Sequence, residues 1–317
     1  MISKARAVVL IIIVGLLGGL APWAAAQPSR SGDDRSAVHW ESLAFKSSAF
    51  LGSVQTRVTL EELPADEVGG ILIASPQEES VKPSGPRVFH LTVNSAIDPL
   101  IGSDELLVTR VWFSPQASTA LQRVRLRKGK ELWEKTYRWT ASGVYRLRIR
   151  PQDADEENLP VKRWTDRQNS FYPYDLLQSE CSSVSDPSVL LYVASTAGLA
   201  VGDDPRRLCA FNKKQLHLVQ FQAEKSQLLK VNYLEKTPDG ETRRQGEAEV
   251  LKVSFTTRSL FPDEAGAEPF SFLGLKGDFH IFIEKISRIP VQIGGKIPGF
   301  GKVAIKLEQA LVRPGKK

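Results

Sequence analysis

The sequence predicts an all-β protein, mainly an antiparallel meander forming an open or half-barrel sheet, with one short helical segment near 170–180. Three observations carry this. Near the C-terminus, Phe279, Ile281 and Ile283, then Ile289, Val291 and Ile293, then Val303, Ile305 and Leu307 alternate with other residues in three successive runs. A period of two places alternate side chains on opposite faces of a strand. Further runs of this kind recur at short intervals between turn residues, the pattern of a β-meander. No long amphipathic helical pattern interrupts them.

Taken in order, the chain begins with Lys4 and Arg6, an uninterrupted apolar run from Val8 to Leu20, and Ala24-Ala25-Ala26. A basic start, an apolar stretch and small residues form an export signal, here covering 1–26 with cleavage after Ala26. The alternative is an uncleaved anchor, since Ala7–Ala26 is just long enough to span a membrane. Polar residues 27–37 form a flexible leader. A β-rich domain then covers 38–312, read either as one body or as two lobes, 38–150 and 170–312, joined by the charged, proline-bearing linker 151–169. Strands are expected at 39–46, 54–60, 88–93, 106–113, 121–128, 131–139 and 144–150, with Lys128-Gly129-Lys130 as a hairpin turn. Ser170–Glu180 reads as the helix, capped by Asn169 or Ser170, with Pro173 in its first turn. Strands resume at 190–194, 215–222, 228–235 and 247–256, and Pro238-Asp239-Gly240 is a turn. Residues 258–277 form a long loop carrying Phe261, Phe270 and Phe272, either packed on the core or serving as a lid.

The net charge of +6 falls to +4 once Lys4 and Arg6 are removed with the signal. That mild excess, on an exported chain, argues against nucleic acid and towards acidic surfaces of the envelope. Two cysteines, Cys181 and Cys209, in an exported chain favour a disulfide over two buried thiols. Four histidines, His39, His90, His217 and His280, lie far apart, none at metal-ligand spacing. Gly299-Phe300-Gly301-Lys302 lacks the remaining parts of a phosphate loop, and no Gly-x-Ser-x-Gly or His-Glu-x-x-His occurs. Carboxylates for glycoside hydrolysis are available at Glu61/Glu62 and Asp155/Glu156/Glu157, all in polar stretches. No catalytic residue, metal site or cofactor is therefore assigned.

The ending Ser287-Arg288-Ile289-Pro290-Val291, Gly299-Phe300-Gly301 and Val303-Ala304-Ile305-Lys306-Leu307 resembles the close of a family of exported bacterial β-rich proteins of unknown function. Asn94-Ser95-Ala96-Ile97-Asp98-Pro99, Lys135-Thr136-Tyr137-Arg138 and the aromatic segment 170–177 are similar in order. The resemblance implies an exported antiparallel β domain, with a distant likeness to the open half-barrels of lipoprotein carriers, and it supplies no catalytic residues.

One feature of the meander stands out. Arg123, Arg125 and Arg127 share one face of their strand, and Arg146, Arg148 and Arg150 share one face of another. Trp133, Tyr137 and Trp139 share a face with Lys135 between. Placed in one sheet, the arginines are expected to form a band on its outer side, either as solvated surface or as a site for anionic head groups or an acidic partner. The function expected is a non-catalytic periplasmic envelope protein that binds an amphiphile (a lipid or a lipid-modified protein) or a membrane-associated partner, touching the membrane peripherally. The alternatives are an assembly factor for another envelope protein and a glycan-active hydrolase.

Overall fold

A computed structural model describes residues 38–49, 52–99, 104–174, 180–260, 268–298 and 301–313. The expected signal and leader lie outside the described residues. Sixteen strands are present: β1 (Trp40–Ala49), β2 (Gly52–Pro64), β3 (Arg87–Pro99), β4 (Glu105–Ser114), β5 (Thr119–Lys128), β6 (Trp133–Trp139), β7 (Gly143–Arg150), β8 (Asp166–Pro173), β9 (Val184–Ser185), β10 (Arg206–Asn212), β11 (Gln215–Thr237), β12 (Gly240–Ser259), β13 (Ser271–Phe272), β14 (Leu275–Glu284), β15 (Pro290–Ile297) and β16 (Gly301–Val312). Short helices lie at α1 (Ala65–Val68), α2 (Ala154–Glu157) and α3 (Leu190–Thr196).

The strands form one sheet, ordered β8-β7-β6-β5-β4-β3-β2-β1-β16-β15-β14-β12-β11-β10-β9. Neighbours are antiparallel, as expected for a meander, except the short β9–β10 pair. The far end of β11 also pairs in parallel with β16. Strands β16, β15, β14, β12 and β11 therefore close into a ring, while β1 to β8 continue outward from it. The described residues form a single unit, and β7 and β8 pair directly across the stretch expected to be a linker.

The all-β class with a short helix stands, but the helix lies elsewhere. Residues 170–173 belong to β8, paired with β7 from Gly143↔Pro173 onward. Alternation of Phe171 with Tyr172 and Ser170, and a free partner in β7, outweigh the capping signal; 175–179 lie outside the described residues. The helix is instead formed by Leu190–Thr196, preceded by the single 3-10 turn Pro187–Val189. Asp186 caps that turn through Ser188 N, and Pro187 sits at its first position. Residues 190–194 read as a strand because they are uniformly apolar, and a short apolar run has no period to separate the two states.

A helix with no solvated face must be enclosed. Leu190 to Ser195 are all buried, so α3 lies inside the curve of the sheet. Tyr192 meets Phe89 of β3 and Phe113 of β4, with ring centroids 5.4 and 5.0 Å away. Trp40 Nε1 of β1 donates to Ser195 Oγ at 3.1 Å. From the opposite wall, Arg288 donates to the Ala194 and Ser195 carbonyls. The C-terminal alternation expected from the sequence points into this core: Ile281, Ile283, Ile289, Ile293, Ile305 and Leu307 are buried. Each such side chain contributes about 1.5–3 kcal/mol on burial. Phe270 and Phe272 join them, so the described part of the long aromatic loop packs on the core.

The outer face of β3–β5 is covered as well. Val68 of α1 packs with Val88, Trp112, Leu121 and Val124. Arg138, on this outer face of β6, donates to the carbonyls of Ile73, Leu121 and Val81 and so pins residues 65–86 across the sheet. Burial pulls its pKa down to about 10. Cys181 and Cys209 are bonded to each other, with Cα atoms 5.6 Å apart, and tie the segment before α3 to β10.

Candidate ligand-binding cleft

A cleft of about 480 Å³ opens on the inner side of the sheet. One wall is the inner face of β2 to β5, with Val54, Val93, Ile97 and Leu107 forming an apolar stretch that ends at Arg123 and Arg125. The facing wall comes from residues 271–276 and from Ile297 and Val303 of β15 and β16. Asp186, Pro187 and Ser188, leading into α3, form its end. The volume falls within the roughly 300–1,000 Å³ typical of ligand pockets.

The six arginines expected on the outer side face inward. Register settles the matter: Val111 and Thr109, on the inner face of β4, stand opposite Arg123 and Arg125. The side assignment was inverted because the outer face of β5 is itself apolar and covered by residues 65–86, so both faces are dry at one end of the strand. The alternation in sequence identifies a shared face but not which face the curve encloses.

Across the sheet the cations fall into rows. Arg125 stands opposite Lys135, and Lys135 opposite Arg148. The neighbouring row runs Arg123, Tyr137, Arg146, Ser170. Three of the six arginines, Arg123, Arg127 and Arg150, have a carboxylate partner. Arg127 Nη2 donates to both oxygens of Glu105 at 2.7 and 2.9 Å, and its Nη1 to Glu131 at 3.0 Å. Arg150 pairs with Asp166. Arg146 Nη2 donates to Ser170 Oγ at 2.8 Å, with its guanidinium over the Tyr172 ring. Arg125, Lys135 and Arg148 have no carboxylate at ion-pair distance among the described residues. Burial, then Arg123, pushes the Arg125 pKa down. Lys135 is held down to about 8 by burial first, then by Arg125, Arg148 and Arg146, against Glu131 alone in the other direction. Its ammonium lies 3.9 Å from the Trp133 ring centroid, whose π-face offsets part of this crowding.

Arg123 behaves differently from its neighbours. Its side chain is only 5% exposed and its Nη1 meets the fully buried Asp186 Oδ2 at 2.5 Å. The guanidinium also lies over the Tyr137 ring at 4.0 Å. Its Nε and Nη2 are buried without a protein partner. Asp186 joins β5 to the helix, a contact that nothing in the sequence around it announces. Lys135 was visible beside Trp133, but its place between two arginine-bearing strands depends on register.

Several of the remaining candidates have structural partners. His90 stacks on Trp112 and reaches Glu61 at 3.2 Å. His217 is buried edge-on to Phe270, and burial pushes its pKa down to about 4, so the ring is neutral. Gly294 is required where it stands, because a Cβ there would run into the His280 ring. Glu62 pairs with Arg87, and Glu156 accepts from Gln152 N and Thr165 N. No group of three or more His, Cys, Asp or Glu side chains that could hold a metal occurs among the described residues.

No protein-family profile matches the chain, and no curated protein matches it. Among solved structures, a β-barrel-like protein of a domain of unknown function, DUF1849, from Brucella abortus is similar over 87% of this chain and 98% of its own, with a TM-score of 0.41 and 7% identity. A likeness at that level transfers neither a site nor an activity.

Proposed function

We propose that this protein is a non-catalytic, exported envelope protein that binds an anionic amphiphile. The apolar tail lies in the cleft against Val54, Ile97, Leu107 and Val303, and the charged head meets Arg125, Lys135 and Arg148. The observation that carries this reading is a row of cations with no carboxylate at ion-pair distance among the described residues, whose member Arg125 lines a cleft with an apolar wall. Apolar walls supply affinity while a few charged groups at one end supply orientation. The basic start, apolar run and Ala24-Ala25-Ala26 within residues 1–26 support the exported, periplasmic part of this reading. Quenching of tryptophan fluorescence by dodecanoate, with Leu107→Arg as the blocked variant, tests the reading. Saturable binding by the wild type that Leu107→Arg abolishes is expected; no binding, or equal binding by both, overturns it.

A second reading has its own observation. β8 ends the sheet path, and no strand pairs with its far side among the described residues. An assembly factor could add a partner's strand there. A crosslinked envelope protein released by a proline in place of Asn169, with dodecanoate binding absent, favours that reading.

A further inference from the structure

We propose that the row Arg125–Lys135–Arg148, flanked by Arg123 and Arg146, is a site for a phosphorylated head group, a phosphomonoester or a diphosphate, and not for a singly charged carboxylate. This deepens the reading above and rests on it for the tail alone.

Like charges directly opposite one another on neighbouring strands destabilise a sheet. Here three cations occupy one such row, on strands spaced about 4.8 Å apart, and the register is unbroken across them. The surrounding arginines show what ordinary compensation looks like: Arg127 and Arg150 each have a carboxylate at hand. The row has none among the described residues, and its members are half-buried rather than fully solvated. A carboxylate ligand brings one charge and two acceptor oxygens. A phosphomonoester brings about −1.5 to −2 and three acceptor oxygens, which suits two guanidinium forks and an ammonium carried in one row on three adjacent strands.

Arg123 supplies the second, independent observation. It lines the cleft, it is at least nine-tenths buried, and two of its nitrogens have no protein partner. One arm of the guanidinium is held by Asp186 and the Tyr137 ring fixes its plane, so the free donors are presented in a set direction. Lys135 over Trp133 and Arg146 over Tyr172 are seated on rings in the same way. The cations are thus supported on aromatic side chains, with their donors in surplus.

The experiment is calorimetric titration of the full mature chain at pH 7.5 and low salt with dodecyl phosphate, dodecanoate, dodecyl maltoside and inorganic pyrophosphate, all as monomers. The variants are Arg125→Gln/Lys135→Gln/Arg148→Gln and, as a control, Arg150→Gln. Dodecyl phosphate is expected to bind at least about tenfold more tightly than dodecanoate, a preference the triple variant loses and the control keeps. Equal affinity for the two by the wild type, or a preference that survives in the triple variant, overturns the phosphate site while leaving the amphiphile reading intact. Pyrophosphate binding as tightly as dodecyl phosphate, with maltoside and dodecanoate silent, supports the site and overturns the amphiphile reading. If the triple variant does not fold, Arg148→Gln alone is read against the same criteria.

Discussion

Replacing Asp186 by asparagine keeps its size and its capping oxygen but removes the charge that faces Arg123. Both side chains are buried, 0% and 5% exposed, and they meet at 2.5 Å. A buried pair broken on one side leaves an uncompensated charge in a dry site, at a cost of about 3–5 kcal/mol. The Tyr137 face, 4.0 Å from the guanidinium, recovers part of this. The expected loss is therefore about 3 kcal/mol, a large share of a typical folding stability of roughly 5–15 kcal/mol. Adding Arg123→Met removes the stranded charge, and the double variant is expected to return to within about 1 kcal/mol of the wild type. Urea unfolding followed by tryptophan fluorescence gives both numbers, with an unchanged slope confirming that only stability has moved. A loss below about 1 kcal/mol for Asp186→Asn, or a double variant no more stable than the single one, refutes the argument that this pair is a dry, mutually required contact.

The crowding at Lys135 has a signature in pH. Its pKa in the fold, about 8, lies below the unfolded value of about 10.4. Between these values the unfolded chain holds more protons, so this residue makes stability rise as pH rises through that window. Lys135→Met is expected to gain about 1 kcal/mol at pH 7, the full shift being discounted for partial exposure, and to lose that rise; identical pH profiles for the two proteins would count against it. The Cys181–Cys209 bond closes a loop with a sequence separation of 28, which corresponds to roughly 3–4 kcal/mol. Thiol labelling of the denatured, unreduced protein should find no free cysteine, and Cys181→Ala/Cys209→Ala should lower the urea midpoint accordingly.

Much of the fold was legible because a period of two is a direct physical signal. The runs at 279–283, 289–293 and 303–307 are strands with the expected inward faces, and the turns at 285–288 and 238–240 lie where charged, proline and glycine residues put them. What misled was local chemistry overridden by tertiary context. Residues 223–227 read as a gap between two strands, yet they continue β11 through a bulge between Ala223 and Lys225 because β12 is there to pair with them. The arginine band was legible as a band, since alternation alone defines it. Its inward direction was not, because direction follows from the curvature of a sheet whose strands are far apart in sequence. Asp186 was illegible for the same reason: a single aspartate before a proline reads as a cap, and only the fold brings Arg123 to it.

β16 has three partners: β1, β15 and the far end of β11. It is therefore the joint between the closed ring and the outward run of strands, and the strand partner of Trp40 is Val312. A chain that folds from its N-terminal end can build β1 through β8 by adjacent hairpins, but it cannot cover the outer edge of β1 or close the ring before Gly301–Val312 arrives. Until then the edges of β1 and β15 and the end of β11 stand open, and such edges recruit other strands. The slow, exposed step is the last one, as expected where contacts of long sequence separation complete a β topology. Lesions in β16 should thus be felt less as weakened native protein than as chains lost to aggregation and proteolysis before they finish folding.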